Sequence, residues 1–136
     1  MKKIGLDVGD VRIGIAVSDM LGICANSRES YRRVNDDVDI QYFIKLAREE
    51  NADTFVVGLP INMDGTEGKS VEVTREFAAK LAEKSGLPVE FQDERLSTVS
   101  AERVLLEADM SRNKRKKVID AVAACIILQS YLDKKS

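Results

Sequence analysis

Three carboxylates, far apart along the chain, stand in surroundings that carboxylates normally avoid. Asp7 interrupts the apolar stretch Gly5-Leu6-Asp7-Val8-Gly9. Asp120 interrupts another, Val118-Ile119-Asp120-Ala121-Val122-Ala123-Ala124-Cys125-Ile126-Ile127. Glu94 follows the last strand-like segment in Gln92-Asp93-Glu94-Arg95-Leu96-Ser97, the position where parallel strands deliver ligands and reactive groups. A charge in a core is costly unless it is paired or coordinates a cation. If the three acids converge, they cannot all stay ionised without a compensating positive charge. An all-oxygen site with open positions suits Mg²⁺ or Mn²⁺, which retain waters and bind phosphate oxygens. Such ions activate water and stabilise an in-line displacement at phosphorus, so the expected reaction is hydrolysis of a nucleic-acid backbone.

Each acid also has a plainer reading. Asp7 suits an edge strand facing water, and Asp120 suits a buried ion pair with Arg12 or a nearby lysine. Glu94 suits an ordinary turn, with Asp93 a rival for its role. The basic run Arg112, Lys114, Arg115, Lys116 and Lys117 lies just before Asp120, with Lys116 and Lys117 one turn away. Such runs are commonly solvated helix faces. Beside a metal-binding carboxylate, Lys114, Arg115, Lys116 and Lys117 become expected phosphate contacts, with Arg12 in the same patch. The segment Gly68-Lys69-Ser70 invites a nucleotide-binding reading, but that motif needs glycine where this chain has Met63. The loop's glycines still allow backbone N–H groups to approach a phosphate at the helix start.

Composition removes several competing chemistries. The 136 residues contain no histidine, which excludes Ser-His-Asp and Cys-His nucleophiles and histidine-ligated zinc. Lys and Arg total 21 against 23 Asp and Glu, a formal charge of −2. Nucleic acid must therefore be bound by local patches, not by overall basicity. The two cysteines, Cys24 and Cys125, form no CxxC pattern and read as buried small hydrophobes in a reducing cytoplasm. No apolar run reaches the ~18 residues of a membrane span. Asp7 comes too soon after Met1-Lys2-Lys3 for a signal peptide, so no membrane association or secretion is expected.

The elements that must position these residues follow from periodicity. In residues 3–9, Ile4, Leu6 and Val8 share one face while Gly5, Asp7 and Gly9 share the other. Residues 12–18 repeat the pattern with Ile13, Ile15 and Val17 against Gly14, Ala16 and Ser18, predicting an antiparallel hairpin with one very small-residue face. A more polar third strand falls within residues 22–33. Ile40, Phe43, Ile44 and Ala47 mark a helix, and residues 54–59 a buried parallel strand. A loop from Pro60 to Gly68 leads to a helix with Val73, Phe77 and Leu81, stopped by Gly86 and Pro88. Residues 88–92 give the last strand. Ser97 or Thr98 can cap a helix with Ala101, Val104, Leu105 and Ala108 on its face. A final helix opens in residues 112–117 and reaches Leu132. Ala123 and Ala124 share a face with Asp120, so this helix can lie on the small-residue face of the hairpin and carry Asp120 toward Asp7. No repeat or linker interrupts the chain, so residues 1–136 are expected to form one domain. The order βββαβαβα predicts the α/β ribonuclease H-like fold, a mixed five-stranded sheet with helices on both faces.

The segments GLDVGDVRIGIAVSD, VVGLPINMDGTEG, DERLST and KKVIDAVAACIILQSYLD together resemble the YqgF (RuvX) family, related in fold to the RuvC Holliday-junction resolvases. The four blocks stand in family order and span nearly the whole chain. The resemblance implies a cytoplasmic, metal-dependent nuclease that processes the 5′ end of precursor small-subunit ribosomal RNA. It maps the family's acidic positions onto Asp7, Glu94 and Asp120. Resolvase-like sites often carry a fourth acidic or histidine ligand about one turn after the last aspartate, where this chain has Ala123 and Ala124. The expected partner is nucleic acid, structured RNA ahead of DNA junctions, with a homodimer left open. The competing readings are a junction-resolving DNA endonuclease and a non-catalytic RNA-binding protein on the same fold.

Overall fold

The structure, a computed structural model, describes residues 1–60, 68–93 and 112–135, and for residues 112–118, 120 and 135 the backbone alone. Strands Lys2–Val8 (β1) and Arg12–Ser18 (β2) pair antiparallel, with Leu6 opposite Ile15 and Asp7 opposite Gly14. Ala25–Arg32 (β3) continues the meander as an edge strand. Helix Asp36–Glu50 (α1) leads into Ala52–Leu59 (β4), parallel to β1, and Lys69–Ser85 (α2) into Val89–Asp93 (β5), parallel to β4. The sheet order is β3-β2-β1-β4-β5, and Arg112–Lys135 (α3) follows. The described elements run in the expected βββαβαβα order.

Period-2 alternation assigns the two sheet faces. Ile4, Leu6, Ile13, Ile15, Val17, Phe55 and Val57 pack with Ile40, Phe43 and Ala47 of α1 and with Phe77, Ala78 and Leu81 of α2. The opposite face packs Ala16 and Val56 under Ala124, Ile127, Leu128, Tyr131 and Leu132 of α3. Each large side chain fully buried here stabilises the fold by roughly 1.5–3 kcal/mol relative to an exposed one. The expectation that Val73 belongs to the α2 core face is corrected: it is exposed, and the buried stripe is Val71, Thr74, Phe77, Ala78 and Leu81. Residues spaced only by four drift by about 40° per step, so the stripe must mix steps of three and four.

Helix ends explain the strand boundaries. Asn35 caps α1, its side chain accepting from the Val38 N–H at 2.9 Å, and Asp36, Asp37 and Asp39 fill the first turn. The helix ends at Asn51 in the left-handed region (φ 56°), and β4 starts at the very next residue, two earlier than the apolar run indicates. Cys24 is exposed and Cys125 half-buried, both free thiols, which corrects the expectation that both are core residues. Cys24 precedes β3, in the β2–β3 connection that the sheet does not cover. The helix expected to start at Ser97 or Thr98 lies outside the described residues. Among the described residues no helix is long and apolar enough to cross a membrane.

Candidate active site

Helix α3 runs antiparallel to β1. Near its C-terminal end, the Gln129 side chain accepts from the Ala25 N–H at 2.9 Å and donates to the Ile23 carbonyl at 2.8 Å, beside the amino end of β1. Midway, Leu128 and Ala124 lie directly over Gly5: a Cβ built there would stand 2.7 Å from Leu128 Cβ and 3.1 Å from the Ala124 carbonyl oxygen. Only glycine permits that approach. Further toward the helix start, Ala121 lines one cleft with Arg12 and Arg32 at the other end of the sheet. The α3 backbone at position 120, one turn before Ala124, thus lies toward the carboxyl half of β1. That half carries Asp7.

Asp7 is half-buried and, two residues after Gly5, projects to the α3 side of the sheet. Its strand partner is Gly14, so the positions flanking it on that face, Gly5 and Gly14, have no side chains. It also lines a cleft of about 450 Å³ at the carboxyl ends of the strands, together with Gly9, Asp10, Arg33, Lys69 and Ser70. Asp93 ends β5 opposite Leu59 and is exposed, and Glu94, the next residue, lies outside the described residues. Asp120, Lys114, Arg115, Lys116 and Lys117 are described as backbone of α3. The fold therefore brings the Asp7 side chain and the Asp120 backbone to one face and one end of the sheet. Among the described residues no three acidic or sulfur side chains form a metal-binding group. Asp7 itself offers a hard oxygen donor of the kind Mg²⁺ or Mn²⁺ takes.

The turn after Asp7 is held by an ion-pair network absent from the sequence expectations. Asp39, fully buried, accepts from Arg33 Nε at 3.0 Å, from Tyr31 Oη at 2.8 Å and from the Val34 N–H at 3.0 Å. Arg33 also donates to Asp36 at 2.9 Å and to the Gly9 carbonyl at 3.0 Å, with its guanidinium over the Phe77 ring. Burial, and then the Asp39 carboxylate, push the Tyr31 hydroxyl up to about 12. The network ties the β1–β2 turn to α1 and α2 on the face opposite α3. Gly9 is confined as well, since a Cβ there would meet the Arg12 carbonyl oxygen at 2.7 Å. Asp39 sits four residues before Phe43, on the apolar face of α1. A polar residue on that stripe was the available signal, hidden because acids in a first helical turn are ordinary.

A family model described as "RuvX: Holliday junction resolvase" matches residues 1–134. Relatives from Symbiobacterium thermophilum and Streptococcus gordonii, both bearing the name "Putative pre-16S rRNA nuclease", are 53% identical over 132 residues and 51% over 138. These matches cover 97% and 98% of this chain and 92% and 99% of the relatives. The chain belongs to the RuvX family. Among solved structures, Thermus thermophilus RuvC in complex with its Holliday junction substrate is similar at a TM-score of 0.60 and 14% identity. That match covers 99% of this chain and 95% of the other. The fowlpox virus resolvase bound to Holliday junction DNA gives 0.60 at 12% identity, with 99% of each chain covered. At such identities the shared feature is the fold, which is the ribonuclease H-like architecture expected from the element order. In this RuvX-family chain Ala123 and Ala124, where resolvase-like sites often place a fourth ligand, are both fully buried, and Ala124 is packed on Gly5.

Proposed function

We propose that this chain is a metal-dependent endonuclease that hydrolyses phosphodiester bonds in 5′-end processing of the small-subunit ribosomal RNA precursor. Two observations support this reading: curated relatives at about half identity bear that nuclease name, and Asp7 stands half-buried on a glycine-flanked face at the carboxyl end of the sheet. The second carries the chemistry. Asp7, Glu94 and Asp120 would hold the divalent cation, Mg²⁺ or Mn²⁺, which supplies an activated water and charge stabilisation at the scissile phosphate. Gly5 and Gly14, the positions beside Asp7 on that face, carry no side chains. Arg33 and Gly9 fix the turn that follows it. Arg12, Lys114, Arg115, Lys116 and Lys117 bind substrate phosphates, and the whole chain works as one nuclease domain in the cytoplasm.

The test is cleavage of a precursor leader RNA in Mg²⁺ or Mn²⁺ by wild type, Asp7→Asn and Asp120→Asn. Both variants are expected to fold and to lose cleavage; full activity in both refutes the assigned roles. The family description and the junction-bound neighbours favour one second reading, a DNA junction resolvase. Cutting a two-fold symmetric junction calls for two equivalent sites, hence a homodimer. Preference for four-way DNA junctions over structured RNA, in a protein that sediments as a dimer, selects that reading.

A further inference from the structure

A second cleft, of about 500 Å³, lies on the α3 side of the meander, lined by Arg12, Arg28, Glu29, Ser30, Arg32 and Ala121 among others. Arg12 on β2 and Arg32 on β3 are direct cross-strand partners. Directly opposed side chains stand about 4.5–5.5 Å apart at Cβ, and two like charges so placed repel. The neighbouring arginines are neutralised: Arg28 is paired with Glu50, and Arg33 with Asp36 and Asp39. Among the described residues, the side chains of Arg12 and Arg32 have no hydrogen-bond or ion-pair partner. Charged residues on an edge strand commonly serve to block edge pairing. Arg12, however, is on the interior strand β2, so edge protection does not explain the pair.

The pair is aligned with the candidate centre. Arg12 lies two residues from Gly14, the strand partner of Asp7, and shares its α3-facing side, making Arg12 a diagonal neighbour about 7–8 Å from Asp7. The register between β2 and β3 shifts between Ile13 and Ile15, which places Glu29 and Ser30 as a bulge opposite Gly14. The bulge residues Glu29 and Ser30 both line the same cleft, and a serine hydroxyl is another common phosphate donor.

We propose that Arg12 and Arg32 form a two-pronged clamp for one backbone phosphate of the nucleic-acid substrate, so that the bound strand crosses β3 on its way to Asp7. The mutual repulsion of the two guanidinium groups is relieved when the phosphate binds. The clamp rests on the nuclease reading for its substrate, and it adds Arg32, Ser30 and the direction of the strand.

The test is binding of a fluorescent RNA stem with a single-stranded 5′ extension, in EDTA so that cleavage is silent, between about 50 and 200 mM salt. Arg32→Ala is expected to weaken binding roughly tenfold at the low-salt end, the range of a charged hydrogen bond. It is also expected to flatten the log–log salt slope by up to about 0.7–0.9, the full share of one phosphate, since Arg12 still faces it. Arg32→Lys keeps the slope, and Lys45→Ala, at an exposed position of α1 on the other side of the sheet, serves as the unaffected control. Because Arg32→Ala removes a repulsive neighbour, its melting temperature is expected to equal or exceed that of wild type. Arg32→Gln replaces it should alanine disturb the edge strand. Wild-type affinity and slope in a folded Arg32→Ala or Arg32→Gln protein overturn the clamp. Salt-sensitive binding that depends on Arg32, with no cleavage in any divalent metal, supports the clamp and overturns the nuclease reading alone.

Discussion

Replacing Gly5 by alanine tests how α3 is seated on the sheet. The added Cβ would lie 2.7 Å from Leu128 Cβ and 3.1 Å from the Ala124 carbonyl oxygen, with Leu128 Cα at 3.5 Å. All three are atoms of the helix close to its axis, so no change of rotamer relieves the clash. The helix must move away by about 1 Å to restore ordinary contact. Overpacking of this kind costs roughly 1–3 kcal/mol. A smaller unfolded-state entropy for alanine offsets about 0.4–1 kcal/mol of it, leaving a net loss near 1–2 kcal/mol. At roughly 3–4 °C per kcal/mol for a domain of this size, the melting temperature falls by about 3–8 °C, readable by circular dichroism. Cleavage at a temperature well below melting falls much further, because a shift near 1 Å between reacting groups can cost up to about 100-fold. Leu128→Ala does not rescue the variant, since alanine retains the clashing Cβ. An unchanged melting temperature with full cleavage refutes the close approach, and so does rescue by Leu128→Ala.

Other perturbations separate the remaining parts of the structure. Arg33→Ala leaves the fully buried Asp39 charge without its main partner and is expected to cost about 3–5 kcal/mol in urea unfolding; a loss under about 1 kcal/mol contradicts the network. The hydroxyls of Tyr31 and Tyr131 are pushed from 10.0 up to about 12, first by burial and then by Asp39 and Glu90. Their contribution to stability is present below pH 10 and lost as pH rises through about 12, so Tyr131→Phe removes one phenolate absorbance step near pH 12. Ionisation of both tyrosines at pH 10 contradicts these contacts. The Lys3 ammonium, hydrogen-bonded at 2.6 Å, holds the Asp53 carboxyl below its usual range. That stabilisation is complete above the ordinary carboxylate range and is lost as pH falls through the lowered value. Acid unfolding of Lys3→Met is expected to begin at higher pH than in wild type, and coincident acid transitions would contradict it.

The hairpin and the buried face of α1 were legible because burial on one side imposes a strict period on the side chains, and Ile4, Leu6, Ile13, Ile15, Ile40 and Phe43 obey it. The small-residue face was legible too, since a run of Gly5, Gly14 and Ala16 has no use in a core except to admit another backbone. Val73 was misread because a spacing of four looks helical without following one face. Cys24 was misread because cysteine's general preference for burial says nothing about a residue in an uncovered strand connection. The Arg33–Asp39–Tyr31 network was invisible because its members come from β3, the following turn and α1, and each looks ordinary in its own segment. For the candidate centre, sequence could nominate Asp7 and Asp120 as costly charges. Ala123 and Ala124 also pointed to a helix that carries Asp120 toward Asp7, while the direction of α3 along the sheet is fixed by Gln129, Ala124 and the cleft that Ala121 lines.

In the proposed nuclease, Asp7 shares one divalent ion with Glu94 and Asp120. Anomalous diffraction from crystals soaked in Mn²⁺ tests it most directly. A peak at metal–oxygen bonding distance, roughly 2.0–2.2 Å, from all three carboxylates is the predicted result. A peak that touches none of them, or carboxylates of Asp7 and Asp120 turned to different sides of the molecule, would contradict it.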